Sequence, residues 1–437
     1  MTVDNDHRVA PASLSDELKV ANWLLTNAVE TLQCSVVPAL ESAGQRLPAA
    51  HASRSAHILA WLSERLGNLS ADPEAYAGVH DLAGEIAQMG ASADRVLELL
   101  NPPSPDTVSR AAIDVAGLEA YLRSDPLAGP DVCLGDVVQL PGGRSKTTLA
   151  LTLHDAAGYP REVIMRKDQE TKMNGTSVVA EAGLLERLHR AGLKVPKPLR
   201  LETDPGRLGS AFLIMERLRG TTAGDVFEPP ANEGLALQLA EQVGLLHAIG
   251  VEDVADDPFL AGKDLTSEQL KAQLAEFRQT VEQYSAPYAS VLGALDWLEA
   301  HVDGIEARQV LVHGDLGFHN VLADGNELTG VLDWELAHLG HPARDLGYLR
   351  STIEMMTTWP LFLEVYHEAG GVECDALAVD FYMLFSSVWL YQHLSRTGRL
   401  RFESNARHIE YANSYMVLLP NMRLRLAREL EAVLDRH

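Results

Sequence analysis

Between Val310 and Glu335 the sequence reads VLVHGDLGFHNVLADGNELTGVLDWE, a short β-rich island in a region whose flanks have helical periodicity. Val310–Val312 is an apolar strand that ends at His313. Asp315 follows in a loop, then Asn320, then a second short strand, Val321–Ala323. Asp324–Gly325–Asn326 has the residue types of a hairpin turn. Leu328–Leu332 is the return strand and delivers Asp333 at its end. A hairpin of that size brings Asn320 and Asp333 together, with Asp315 at the same mouth.

That grouping matches what phosphoryl transfer requires. One carboxylate must accept or orient the proton of an attacking hydroxyl. Hard oxygen ligands must hold Mg²⁺ between phosphates, because charge develops on the phosphoryl oxygens. Mg²⁺ takes few protein oxygens and leaves its other positions to phosphates and water, so one Asp and one Asn suffice.

Upstream, the chain changes character. Residues 16–123 read as helices only, with apolar residues at helical spacing over 16–42, 49–66 and 79–100. Asn101–Pro105 breaks the pattern, and Asp106 is placed to cap a fourth helix reaching Arg123. Residues 1–125 are therefore expected to form an all-α accessory bundle without a catalytic set. The segment SDPLAGPD, residues 124–131, reads as a linker. Strands follow at Cys133–Leu140, at Thr147–His154 across the turn PGGRSK, and at Arg161–Arg166. A helix over Val178–Ala191 and the segment VPKPLRLE lead to another strand, Ala211–Glu216. That order describes a small mixed lobe. Beyond Gly220, helices are expected over Ala231–Ile249, Ser267–Tyr284 and Ala289–His301.

HGDLGFHN, followed by LDWE and then GHPARDLGYL, resembles the aminoglycoside phosphotransferase and choline-kinase-like family. The likeness covers roughly residues 130–400 and is nearest to the bacterial branch similar to the kinase portion of acyl-CoA-dehydrogenase-linked proteins. It implies an α+β, two-lobed protein-kinase-like fold, with an ATP-binding small lobe over 130–217 and a catalytic, substrate-binding helical lobe over 218–437. It implies Asp315 as catalytic base, Asn320 and Asp333 as Mg²⁺ ligands, and ATP as the phosphoryl donor. Asp345 becomes a structural carboxylate and His313 a brace for the loop.

Backbone N–H groups of the turn GGRSKTT, Gly143 and Ser145 among them, would face phosphates. Arg166 ends the third strand, where kinases carry a phosphate-binding lysine, and neighbouring Lys167 belongs to the opposite strand face. Glu181 would pair with Arg166, and backbone groups of Glu216 and Leu218 would meet adenine. Plainer readings stand beside these. Arg166 can be a solvent-facing strand end, Glu181 a surface helix position and Asp345 a helix cap. Glu335 either touches metal or braces its loop. His319, His338 and His341 are read as non-ligands, since hard Mg²⁺ does not favour imidazole.

Bulk properties narrow the field further. A formal net charge of −25 disfavours nucleic acid and anionic membrane surfaces as partners. No run of about 18 apolar residues is present to span a membrane, and the N-terminus lacks a secretory h-region. Cys34, Cys133 and Cys374 are far apart, which indicates neither a disulfide framework nor zinc, and a cytoplasmic setting is expected. The N-terminal helices offer a surface for a homo-oligomer.

The expected substrate is a small molecule bearing a hydroxyl. One reading is a hydroxylated metabolite, such as a hydroxyacyl-CoA or an aromatic or alicyclic alcohol. The alternative is an aminoglycoside, and a reading of another class is a catalytically silent kinase-fold binding module. The residues Glu354, Met355, Met356, Trp359, Tyr366, Phe381, Tyr382, Met383, Phe385, Trp389 and Tyr391 either line a cleft, which would then be largely apolar and aromatic, or for the most part pack the helical core. The missing DFG and APE signatures set a protein kinase aside.

Overall fold

The computed structural model describes residues 114–140, 146–168, 177–254, 257, 260, 266–285, 288–403 and 418–437. Two compact units divide the chain, residues 1–104 with 397–421 and residues 105–396 with 422–437. The elements that build the site belong to the second. The helices expected before residue 101 lie outside the described residues, as do Gly143 and Ser145.

Helix α1, Val115–Ser124, begins at Asp114, whose carboxylate accepts the Gly117 N–H at 2.9 Å. Asp114 combines extended backbone with a short acceptor side chain, as an N-cap must, and Asp106, the cap expected from the sequence, lies outside the described residues. The α1 face of Leu118, Tyr121 and Leu122 packs on a β-sheet, against Leu149, Leu151, Val163, Met165, Phe212 and Ile214. Tyr121 meets Phe212 edge to face with ring centroids 5.0 Å apart.

That sheet has five antiparallel strands: β1 Cys133–Gln139, β2 Lys146–His154, β3 Glu162–Asp168, β4 Pro198–Glu202 and β5 Phe212–Glu216, in the order β1-β2-β3-β5-β4. β4 was expected as a lead-in and is a strand. Pro198 opens it at the sheet edge, where a missing N–H breaks no ladder bond. Leu149, Leu151 and Leu153 of β2 and Val163 and Met165 of β3 belong to the α1 side. The two-residue period then assigns Lys146 and Arg166 to the other face. Register pairs Arg166 with Thr148 and Lys146 with Asp168.

Helix α2, Val178–Arg190, covers that second face. Asp168, at the end of β3, fastens its start: it accepts the Ser177 hydroxyl at 2.5 Å and the Val178 N–H at 2.9 Å. The link sets Glu181, in the first turn, across from Arg166.

After the connector, β6 (Thr221–Thr222) pairs with β8 (Val321–Asp324), which pairs in turn with β9 (Glu327–Val331). Between β6 and β8 come α3 Glu233–His247, α4 Ser267–Tyr284, α5 Ala289–His301 and β7 Val310–Val312. β7 is antiparallel to β10, His338–Gly340. α6 Ala343–Ile353, α7 Trp359–Glu368, α8 Ala376–Glu403 and α9 Leu419–Leu434 follow. A Cβ at Gly347 would stand 2.5 Å from the Met383 nitrogen, so only glycine lets α6 approach α8 so closely. Among the described residues, no helix is long and apolar enough to cross a membrane.

Candidate active site

The loop after β7 is set by one buried carboxylate. Asp345, in the first turn of α6, accepts the His313 N–H at 2.8 Å and the Gly314 N–H at 2.9 Å. His247 Nε2 stands 3.3 Å from it, at the end of α3. Burial alone would raise the Asp345 pKa, but hydrogen bonding and charge from His247, with the His313 N–H, outweigh burial and hold it below the ordinary carboxylate range. Gly314 has φ +83°, and a Cβ there would meet the Leu336 carbonyl oxygen at 2.6 Å. Both facts require glycine. The His313 ring packs beside buried Trp334, and its Nε2 lies 2.9 Å from the Leu332 carbonyl oxygen, which can only accept. Nδ1 is then the acceptor for the Asp315 N–H, at 3.3 Å.

This bracing holds Asp315 half-buried at the mouth of the hairpin. Asn320 donates from Nδ2 to the Asp315 carbonyl at 2.9 Å and stands 3.5 Å from its carboxylate. His319 Nε2 is 3.6 Å from the same carboxylate, and the buried Tyr348 hydroxyl approaches from α6. Burial is the largest single influence on Asp315 and raises its pKa. His319 and then Tyr348 outweigh it, so the group stays ionised below the usual carboxylate range. A carboxylate held ionised in this way is a weak proton acceptor, and chemically it can orient a hydroxyl by accepting its hydrogen bond.

Across the hairpin, the Leu332 N–H donates to the Asn320 carbonyl at 2.8 Å, which brings Asp333 beside Asn320. Asp333 has φ 64° and ψ 61°, a left-handed conformation uncommon outside glycine, asparagine and aspartate. Its Oδ1 is buried without a hydrogen-bond partner among the described residues, 3.5 Å from Arg166 Nη2. Burial dominates and lifts the Asp333 pKa against the pull of Arg166. A buried, under-partnered carboxylate oxygen beside an amide side chain is a hard-oxygen donor set, and it fits Mg²⁺. Among the described residues, no group of three or more His, Cys, Asp or Glu side chains is arranged to hold a metal. His338 Nδ1 instead lies 2.8 Å from the Leu336 carbonyl, and His341 accepts the Ala343 N–H and stacks on Tyr382.

The small lobe answers with charge. Arg166 donates to Glu181, which is buried at the start of α2. Burial is the main influence on Glu181 and raises its pKa, while Arg166 and Lys146 oppose it. Lys167, on the other face, lies near Gly209. At the connector, the Glu216 N–H is committed to the Lys197 carbonyl at 2.9 Å, so only the Glu216 carbonyl could serve a nucleotide. The Leu218 side chain lies over Gly330.

Sequence reasoning gave Lys146 no role of its own. Its ammonium is fully buried, 3.2 Å from Glu335 and 3.7 Å from Glu181. Tyr348 was missed too, although its place three residues after Asp345 puts both on one face of α6. The aromatic residues expected to divide between cleft and core fall mostly in the core: Tyr366, Phe381, Tyr382, Phe385 and Tyr391 are fully buried.

Three comparisons with known proteins place the chain. A model of the phosphotransferase enzyme family matches residues 136–380, more than half of it. Acyl-CoA dehydrogenase family member 11 of Rattus norvegicus is 25% identical over 269 residues, which are 60% of this chain and 33% of that protein. The chain thus spans about a third of the length of such relatives. Viomycin phosphotransferase of Streptomyces vinaceus is 28% identical over 165 residues, 36% of this chain and 55% of that one. A Ralstonia eutropha protein assigned to the aminoglycoside phosphotransferases shares the fold, with a TM-score of 0.57, 19% identity, and coverage of 73% of this chain and 99% of its own. That fold is the two-lobed, protein-kinase-like one, with a β-rich small lobe and a helical large lobe. With more than half its length matched, the chain belongs to the phosphotransferase enzyme family.

Proposed function

We propose that the protein transfers the γ-phosphoryl group of Mg-ATP to a hydroxyl of a small organic molecule. The observation that carries this reading is the convergence of Asp315, Asn320 and Asp333 on one hairpin mouth, facing Arg166 and Glu181. Asp315 orients the acceptor hydroxyl and takes its proton. Asn320 and Asp333 would hold Mg²⁺, which supplies charge neutralisation between phosphates when bound. Arg166, fixed by Glu181, meets phosphate oxygens as a planar fork. Glu216 and Leu218 would serve adenine from the connector. Gly143 and Ser145 would serve the phosphates from the turn before β2.

For the acceptor, we favour a hydroxylated metabolite, such as a hydroxyacyl thioester or a simple aromatic or alicyclic alcohol, over an aminoglycoside. The likeness to acyl-CoA dehydrogenase family members supports it. Phe381, Tyr382, Phe385 and Tyr391 of α8 do not, because they are core. Viomycin phosphotransferase, matched over a shorter stretch, keeps an antibiotic acceptor as the second reading. An ATP-consumption screen with aminoglycosides, hydroxyacyl-CoA thioesters and phenolic or alicyclic alcohols decides. Turnover in the second or third group is expected. Turnover of aminoglycosides alone would reverse the choice of acceptor. No turnover of any acceptor, with no Mg-dependent nucleotide binding, would favour a silent binding module.

A further inference from the structure

Lys146 is an expensive residue to bury, and its setting is not that of an ordinary structural ion pair. It opens β2 immediately after the glycine-containing segment of residues 141–145, on the same sheet face as Arg166. Its side chain has no solvent exposure, and its one hydrogen bond among the described residues is to Glu335, the second acid of the LDWE segment, at 3.2 Å. Glu181 is 3.7 Å away, beyond hydrogen-bond distance. An ammonium has three donors, so among the described residues most of its capacity has no partner.

Its neighbours are under-partnered too. Arg166 Nε, Glu181 Oε2 and Asp333 Oδ1 are all buried without a hydrogen-bond partner among the described residues. Groups left in that condition at one spot mark a place built for something polar. The local charges sharpen the point. Lys146 and Arg166 give +2, and Glu181, Asp333 and Glu335 give −3, a sum of −1. Without Lys146 the sum would be −2, and a polyphosphate would meet three carboxylates with a single guanidinium.

We propose that Lys146 is a second phosphate-contacting residue, acting beside Arg166 on the terminal phosphates of the nucleotide. The Lys146 ammonium would move its hydrogen bond from Glu335 to a phosphate oxygen, and Mg²⁺, which Asn320 and Asp333 would hold, would offset the charge of the acids. A flexible stem with a compact charge suits this exchange, and a guanidinium held in a fork does not. The inference rests on the reading of the site as a Mg-ATP site.

Two experiments test it. The first compares Mg-dependent binding of ATP, ADP, AMP and adenosine to the wild-type chain and to Lys146→Met. Loss of one charge-assisted hydrogen bond is expected to weaken ATP and ADP by about 10- to 100-fold and to leave AMP and adenosine unchanged. A merely structural lysine would weaken all four equally or none, and either result overturns the proposal. If wild-type protein binds no ATP at all, the site reading fails first, and the two failures are thus distinguishable.

The second needs no variant. An acyl-phosphate derivative of ATP carries an acyl carbon at the γ-phosphate. The neutral lysine amine attacks that carbon, an amide forms, the C–O bond to phosphate breaks, ATP leaves and the amine proton goes to solvent. Peptide mapping of the labelled wild-type chain should find the acyl group on Lys146, with labelling abolished by excess ATP. Acylation of another lysine only, Lys167 for instance, or of none, would overturn the assignment.

Discussion

Asp345→Asn is the substitution whose cost can be worked most directly from the geometry. Asp345 is wholly buried and accepts two backbone N–H groups and His247 Nε2 on its two oxygens. Asparagine keeps one oxygen and turns an NH₂ group toward a donor. At least one charge-assisted hydrogen bond is lost, about 1.5–3 kcal/mol, and a buried N–H is left unsatisfied, about 1–3 kcal/mol. The sum, roughly 2.5–6 kcal/mol, brackets the roughly 3–5 kcal/mol that breaking a buried charge pair costs. In a domain of this size it lowers Tm by on the order of 10 °C. Because the two N–H groups belong to His313 and Gly314, Asp315 shifts as well, and a misplacement of about 1 Å lowers kcat about 100-fold. ATP affinity should change little.

The same carboxylate gives a pH signature. Its pKa is lower in the folded chain than the ordinary 3.8. Its contribution is therefore complete above that value and is lost as pH falls through the folded pKa. Asp345→Asn should flatten the acid limb of a stability-versus-pH curve. Thermal melts and urea titrations between acid and neutral pH, with kcat measured at neutral pH, test both points. An unchanged Tm and a kcat within about twofold of wild type would refute the bracing role.

Gly314→Ala should cost about 2–4 kcal/mol, from left-handed backbone strain and overlap with the Leu336 carbonyl, and should lower kcat more than ATP affinity; urea unfolding and steady-state kinetics measure the two effects. Glu181→Ala should weaken Mg-ATP binding by about 10-fold or more, because Arg166 loses the partner that aims it, and calorimetric titration reads this directly. Of the two described thiols, Cys133 is exposed, whereas burial pushes the Cys374 pKa up to about 12. An aromatic disulfide reagent at pH 8 should therefore label Cys133 in seconds to minutes and leave Cys374 unmodified until the chain is denatured.

The parts of this fold that could be read in advance are those governed by local chemistry. The hairpin from Val321 to Val331 is announced by Asp324–Gly325–Asn326, and its two-residue turn has Gly325 at φ +61°. Helices α4 and α5 have the boundaries expected from their periodicity, and Thr266 with Gln269 forms the capping box that starts α4. What could not be read depends on partners distant in sequence. An apolar stripe on α1 says that the helix buries a face but not which surface receives it. Lys146 and Glu335 are 189 positions apart, so nothing near either announces the other. The aromatic residues of α8 have the same composition whether they line a cleft or fill a core. Only the packing of α6 against that helix, made close by Gly347, distinguishes the two.

The central claim is that Asp315 serves the acceptor hydroxyl while the metal and nucleotide are held by other groups. Asp315→Asn separates these functions, because it keeps the side-chain shape and removes the proton acceptor. The decisive measurement is phosphoryl transfer by this variant under single-turnover conditions, alongside Mg-ATP affinity by calorimetry. Transfer should fall by about 10²- to 10⁴-fold, the range for loss of a positioned general base, with the dissociation constant for Mg-ATP within about threefold of wild type. Transfer at the wild-type rate would contradict the assignment of Asp315 outright.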